Sequence, residues 1–269
     1  MPPTDDLYDD LRPDDARMPD RGRVVPARGV DRRDDDRRHA LRLPPRTYAL
    51  SMRDIDTLRT VGIFRAVRAR DLHETRHSSP YGLERLHAQR LLESRRLHGD
   101  VYVALTRDAQ RVVRACDPQT VTYGGFVKAR ELRHDGALYR MYQAHAHVLS
   151  RAGATIERIR VDHELKALIY RAPDRHAQAH TLGLPYDSAT GRMQFPDLQR
   201  EYRTASGVRE RVNLELTTEH YRDGAVRTKA LAGFVLYHLG VGGGAGTAHR
   251  QPTGTGGRHR HRDLELYGL

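Results

Sequence analysis

The chain has 269 residues, 38% of them hydrophobic, and carries a formal net charge of +11 with a pI near 10.1. That length allows two small domains with tails, the low apolar share implies that part of it is unfolded, and the positive charge favours a polyanionic partner. The single cysteine, Cys116, excludes an internal disulfide and a thiolate zinc site, no apolar run approaches transmembrane length, and MPPTDDLYDD lacks the basic-then-apolar layout of a signal peptide, so the expectation is a cytoplasmic protein without a membrane partner.

Of the 46 basic residues only Lys128, Lys166 and Lys229 are lysines. Drift toward arginine codons in a GC-rich genome accounts for this. The sharper reading is that lysine survives where a compact ammonium of tunable pKa is required.

Residues 1–46 mix acidic and basic clusters with proline and hold too few apolar residues to offset the entropy of ordering, which predicts a disordered tail. The first folded unit is expected over 47–116. Ser51-Met52-Arg53-Asp54 resembles a capping box ahead of a helix whose inner face is Ile55, Leu58, Val61 and Phe64. A short helix is expected near Ala69 to His77. A third, introduced by Ser78-Ser79-Pro80, runs over Tyr81 to Leu97 with Leu83, Leu86, Leu91 and Leu92 inward and Arg85, Gln89 and Arg96 outside. His98-Gly99-Asp100 turns into the strand VYVAL, and Thr106 opens a closing helix. Three helices, a hairpin and a helix form the layout of a winged helix. Arg53 to Arg114 contains 13 arginines against eight acids, so the unit is read as a binder of double-stranded DNA through Arg85, Gln89 and Arg96. A protein-contact module, or a solvated charged face, is the alternative.

Residues 117–153 read as a connecting loop and a long helix with Asp135 as N-cap and a stripe of Leu138, Met141, Tyr142, His145, Val148 and Leu149. The C-terminal domain is expected over 154–239. It begins with the strand TIERIRV, followed by a helix capped by Asp162 that carries Glu164, and then a loop, RAPDRHAQAH. Next come two strand-like runs, MQFPDLQREYR and VRERVNLELT, joined by Ala205-Ser206-Gly207. Val212, Leu214 and Leu216 share one face of the second run, and Arg211, Asn213, Glu215 and Thr217 the other. Asp197 and Glu215 are acids in otherwise apolar surroundings, costly to bury without a partner or a metal, and hairpin closure brings them together. Asp223 is expected to cap the helix that carries Lys229, ahead of a last strand, FVLY. Residues 240–269 are Gly-, His- and Arg-rich and read as a flexible tail.

Pro196-Asp197, Glu215 on the next strand and Lys229 on the following helix resemble a PD-(D/E)xK nuclease core, and Ser51 to Tyr237 resembles the replication-relaxation family of plasmids and conjugative elements. The resemblance implies an α+β protein in which an N-terminal winged helix precedes a small α/β PD-(D/E)xK-like domain, with disordered tails. It implies catalytic Asp197, Glu215 and Lys229, and a Mg²⁺ or Mn²⁺ ion held by Asp197 and Glu215 with Glu164 as a third ligand. It also includes a histidine at the head of the connecting helix, His134, for which a structural role is the alternative. One departure stands out: where the family pattern has lysine two residues after the second acid, this chain has Thr217. The functional expectation is a DNA-binding protein of a mobile element, acting in plasmid replication, relaxation or transfer as a metal-dependent nuclease or nickase alongside other replication or transfer proteins. The alternative is a non-catalytic DNA-binding accessory or transcription regulator. Glu219-His220 is a further candidate proton-transfer pair.

Overall fold

The computed structural model describes residues 37–75, 78–126, 128–187, 190–217, 221–238 and 248–249. The readings made for residues 1–36, 239–247 and 250–269, and for Glu219-His220, lie outside these. The architecture is mixed α+β, with three separate antiparallel or mixed sheets.

Structure begins earlier than the composition suggests. β1 (His39–Leu43) and β2 (Arg46–Leu50) form a hairpin across a cis Pro44–Pro45 turn. Residues 39–46 therefore do not belong to a disordered tail. Leu41 and Leu43 pack against a core that includes the buried Tyr48 and Leu50, and this apolar alternation fixes the register.

α1 (Met52–Phe64) starts at a complete capping box. Ser51 Oγ accepts from the Asp54 amide at 3.2 Å, and the Asp54 carboxylate accepts from the Ser51 amide at 2.9 Å. β3 (Val67–Arg68), α2 (Ala69–Glu74) and α3 (Pro80–Ala88) follow, α3 capped by Ser79 with Pro80 in its first turn. The helix expected to reach Leu97 stops at Ala88, because Arg90 takes a left-handed backbone (φ 59°) and turns the chain into β4 (Leu92–Leu97). Leu91 and Leu92 are still buried, but in the turn and strand. β4 pairs with β5 (Asp100–Leu105) across His98-Gly99, β3 lies on the other edge of β5, and α4 (Arg107–Cys116), capped by Thr106, closes the unit.

α5 (Ala129–Arg151) is 23 residues long and starts six residues before Asp135. Asp135 is thus inside the helix rather than its N-cap, and is buried beside His134 and Arg65. Gly136 lets α5 approach β5 closely: a β-carbon there would stand 2.8 Å from the Tyr102 ring. Phe64 packs edge-on against Tyr139 of α5, with ring centroids 5.3 Å apart.

β6 (Thr155–Val161) leads into α6 (Asp162–Arg171), where Asp162 is the first helical residue, not the cap, and pairs with Lys166 one turn on. The segment read as a loop contains α7 (Arg175–Leu182), capped by the Asp174 carboxylate and ended by a left-handed Gly183. α6 and α7 share a small core of Leu165, Ile169, Ala179, Leu182 and Leu184. β7 (Leu198–Arg203) and β8 (Arg209–Thr217) form the expected hairpin, with Gly207 at φ 85° in its turn. β7 begins after Asp197, so that residue stands at the head of the strand rather than within it. α8 (Asp223–Leu231) has Arg222, not Asp223, at its N-cap, and β9 (Val235–His238) then runs parallel to β8. The sheet order is β6-β7-β8-β9 with β10 (Ala248–His249) on the far edge.

One apolar cluster joins the two halves: Leu58, Val103, Tyr139 and Met141 lie in the same buried group as Val161, Leu198, Leu214 and Tyr237. Arg200 of β7 is fully buried beneath α5. It donates to the Tyr142 carbonyl (2.7 Å) and to His145 Nδ1 (2.8 Å), and its guanidinium lies 4.4 Å over the Tyr142 ring. His145 must therefore be neutral, with its proton on Nε2. Burial, reinforced by the Arg200 charge, pushes its pKa from 6.5 down to about 3. Below pH 6.5 the unfolded chain takes up a proton that the folded chain refuses, so stability must fall as pH drops toward 3. We predict that urea unfolding loses stability between pH 6.5 and 4.5, with about 1.4 kcal/mol per pH unit for this one proton. His145→Gln, whose amide oxygen still accepts from Arg200, should flatten part of that slope.

Candidate functional site

The β7–β8 ladder ends with Leu198 opposite Leu214, leaving the amide of Leu216 without a strand partner on that side. Asp197 fills the gap, its Oδ2 accepting from Leu216 N–H at 2.8 Å. In return the Asp197 amide donates to Glu215 Oε2 at 3.2 Å. The Asp197 carbonyl accepts from the Asp162 amide (3.1 Å), which anchors the head of β7 to the start of α6. This reciprocal exchange holds the two carboxylates side by side. The far end of β8 is covered on both faces: Leu214 and Leu216 enter the main core, while Glu215 and Thr217 are buried on the opposite side.

Lys229 reaches the pair from α8. Its Nζ donates to the Phe195 carbonyl (2.6 Å) and to Glu215 Oε2 (3.1 Å), and it lies 4.3 Å over the Phe234 ring. Asp197 and Glu215 therefore meet as hairpin closure suggested, and Lys229 joins them. Two more side chains complete the cluster. The Tyr221 hydroxyl donates to Glu215 Oε1 at 2.6 Å. His134 of α5 places Nε2 3.4 Å from Asp197 Oδ1 and Nδ1 3.7 Å from Asp135 Oδ1. His134 thus stands beside the acids, whereas Tyr221, in the connection between β8 and α8, carries no periodic signal that would single it out.

The electrostatics follow from this crowding. Glu215 is only 4% exposed. Burial first, then the Asp197 charge, raises its pKa, against the opposing pull of Lys229 and Tyr221. Burial and the hydrogen bond to Glu215 raise the Tyr221 phenol, which stays protonated. For His134 burial opposes the imidazolium, but hydrogen bonds to Asp135 and Asp197 and their charges outweigh it and push the pKa up to about 10.

Other expected site residues lie elsewhere. Glu164 does not join the cluster: it stands 3.8 Å from Arg158, and the charges it feels are those of Arg158, Arg160 and Glu201 on the β6–β7 surface. Among the described residues no group of three or more His, Cys, Asp or Glu is placed to hold a metal ion, so the cluster offers two carboxylates and no closed cage. Thr217, in the position where lysine was expected, donates to the Tyr237 carbonyl at 3.1 Å and ties β8 to β9.

The DNA-contact residues also separate. Arg85 pairs with the buried Asp54 of the α1 capping box, and the Gln89 side chain bonds both backbone groups of Ala49. Both are spent holding α3 to α1 and β2, so they do not form the free outer face expected of them. Arg96 is exposed, but on β4 rather than on a helix, beside the exposed Arg95, whose guanidinium lies 4.9 Å over Phe126. Among the described residues no helix is long and apolar enough to cross a membrane. Compared with protein-family models, curated proteins and solved structures, the chain matches none.

Removing one member of a buried ion pair leaves an uncompensated charge. Lys229→Met should therefore cost about 3 kcal/mol or more in urea unfolding. The double variant Lys229→Met/Glu215→Leu should recover most of that loss. An unchanged midpoint for Lys229→Met would show that the ammonium does not stabilise Glu215.

Proposed function

We propose that the protein binds double-stranded DNA and hydrolyses a phosphodiester at the Asp197–Glu215–Lys229 cluster, in the replication, relaxation or transfer of a mobile element. The observation that carries this reading is the convergence of two acids and an ammonium from the head of one strand, the far end of the next and the following helix. That order supports the PD-(D/E)xK resemblance. The order α1, α2, α3, β4–β5 hairpin and α4 supports a winged-helix reading of the first half. There the exposed arginines of β4 point to the hairpin, more than α3, as the phosphate contact.

The donor set fits Mg²⁺ or Mn²⁺, which take one or two carboxylates and complete their shell with water and phosphate oxygens. Asp197 and Glu215 would hold the ion, which when bound lowers the pKa of a coordinated water and offsets phosphate charge. The Leu216 amide and the Tyr221 hydroxyl fix the two carboxylates in their facing orientation. His134 places its Nε2 beside Asp197 Oδ1. Lys229 has two of its three donors engaged by Phe195 and Glu215 and turns the third to a phosphate oxygen, where charge grows as the P–O bond breaks.

A second reading has its own support: Glu215 already accepts from Lys229, Tyr221 and the Asp197 amide, a saturation that suits a structural ion pair in a non-catalytic DNA-binding accessory. The two readings separate on supercoiled plasmid incubated with Mg²⁺ or Mn²⁺ while duplex binding is measured in parallel. The nuclease reading predicts nicking by the native chain that falls to background in Glu215→Gln, with binding retained. Binding without nicking in either protein would establish the accessory role.

A further inference from the structure

Beside the carboxylate cluster, at the edge of the α6–α7 core that the half-buried Phe195 packs against, lies an aromatic pair with one exposed member. α6 buries Leu165 and Ile169 against α7, yet its neighbouring Tyr170 is 57% exposed. The Tyr170 ring touches Phe195, with centroids 6.4 Å apart and planes inclined by 37°. Each ring carries a cation: the Arg175 guanidinium stands 5.3 Å from the centre of Tyr170, and the Lys166 ammonium 5.7 Å from that of Phe195. Lys166 is also held by Asp162, one turn earlier on α6. Phe195 in turn is part of the cluster's frame, since its carbonyl accepts from Lys229 at 2.6 Å and Asp197 follows two residues later.

We infer that Tyr170 and Phe195 form a stacking platform for an unpaired base of single-stranded DNA, with Lys166 and Arg175 meeting the flanking phosphates. Aromatic rings, one of them exposed, with a cation held over one face of each, suit single-stranded nucleic acid. Every base presents a π-face, so stacking tolerates sequence while the cations track the backbone. A duplex hides its base faces and cannot use such a surface. The position of Phe195 sets the base on the platform beside the phosphodiester at the acids. This inference rests on the nucleic-acid reading of that cluster, and gives it a substrate class: DNA that is unpaired at the scissile step.

The test is equilibrium binding without divalent metal, which does not require cleavage. Fluorescent oligothymidylate, an abasic oligonucleotide of the same length and a duplex of the same length are titrated with the full chain and with Tyr170→Ala and Tyr170→Phe. The expected result is that the native chain binds oligothymidylate more tightly than the abasic strand. Tyr170→Ala should weaken the oligothymidylate complex by about 10-fold, with little change for the abasic strand or the duplex, and Tyr170→Phe should retain the native affinity. Because Tyr170 is more than half exposed, its truncation should leave the thermal melt near that of the native chain. Equal affinity for oligothymidylate and the abasic strand, or equal weakening of all three ligands by Tyr170→Ala, would overturn the platform. So would binding of duplex alone. Failure of plasmid nicking would instead count against the hydrolytic reading and leave these affinities interpretable.

Discussion

The structure around the cluster depends on one exchange of hydrogen bonds at the place where β7 runs out. β8 extends past its partner, and a strand end without a neighbour leaves a buried amide that must be satisfied. Asp197 satisfies it with a carboxylate, and a carboxylate brought there necessarily faces Glu215. Burial of two facing acids is unfavourable, and the surrounding chain answers it from three directions: Lys229 from α8, His134 from α5 and the Tyr221 hydroxyl from the connection between β8 and α8. The site is thus a consequence of how the sheet ends, and its charge balance is distributed over elements far apart in sequence.

α5 makes this possible. It contributes Tyr139 and Met141 to the core that contains Leu58 and Val103, and the same core holds Leu198 and Leu214 of the second sheet. Its middle grips Arg200 of β7 through the Tyr142 carbonyl and His145, while its first turns bring His134 to Asp197. A change in how α5 packs on the first half would therefore be felt at the acids.

The legible parts of the chain were those with strong local rules. The capping box at Ser51, the Ser79-Pro80 helix start and the alternation of Val212, Leu214 and Leu216 each carry their own signal, and hairpin closure brings Asp197 and Glu215 together, whereas Lys229 was placed with them only through the resemblance. Other features were decided by contacts or by weak local codes. α3 stops because Arg90 adopts a left-handed backbone without the glycine that usually marks one. α7 is too short for its period to stand out, although Asp174 is a good cap. The 39–50 hairpin does alternate, at Leu41, Leu43, Tyr48 and Leu50, but the mixed-charge residues before it mask the pattern. Arg85 looks free on a helical wheel and is captured by Asp54 only in three dimensions, and Glu164 sits on the right helix but faces the arginines of the sheet surface instead.

Whether Asp197 and Glu215 share one cation position, as proposed, is read from paramagnetic broadening of the amide NMR spectrum during Mn²⁺ titration. A shared site should broaden the resonances of His134, Asp197, Leu216 and Lys229 first, and Glu215→Gln should abolish this selective loss. Broadening centred elsewhere, or the same pattern in Glu215→Gln, would contradict it.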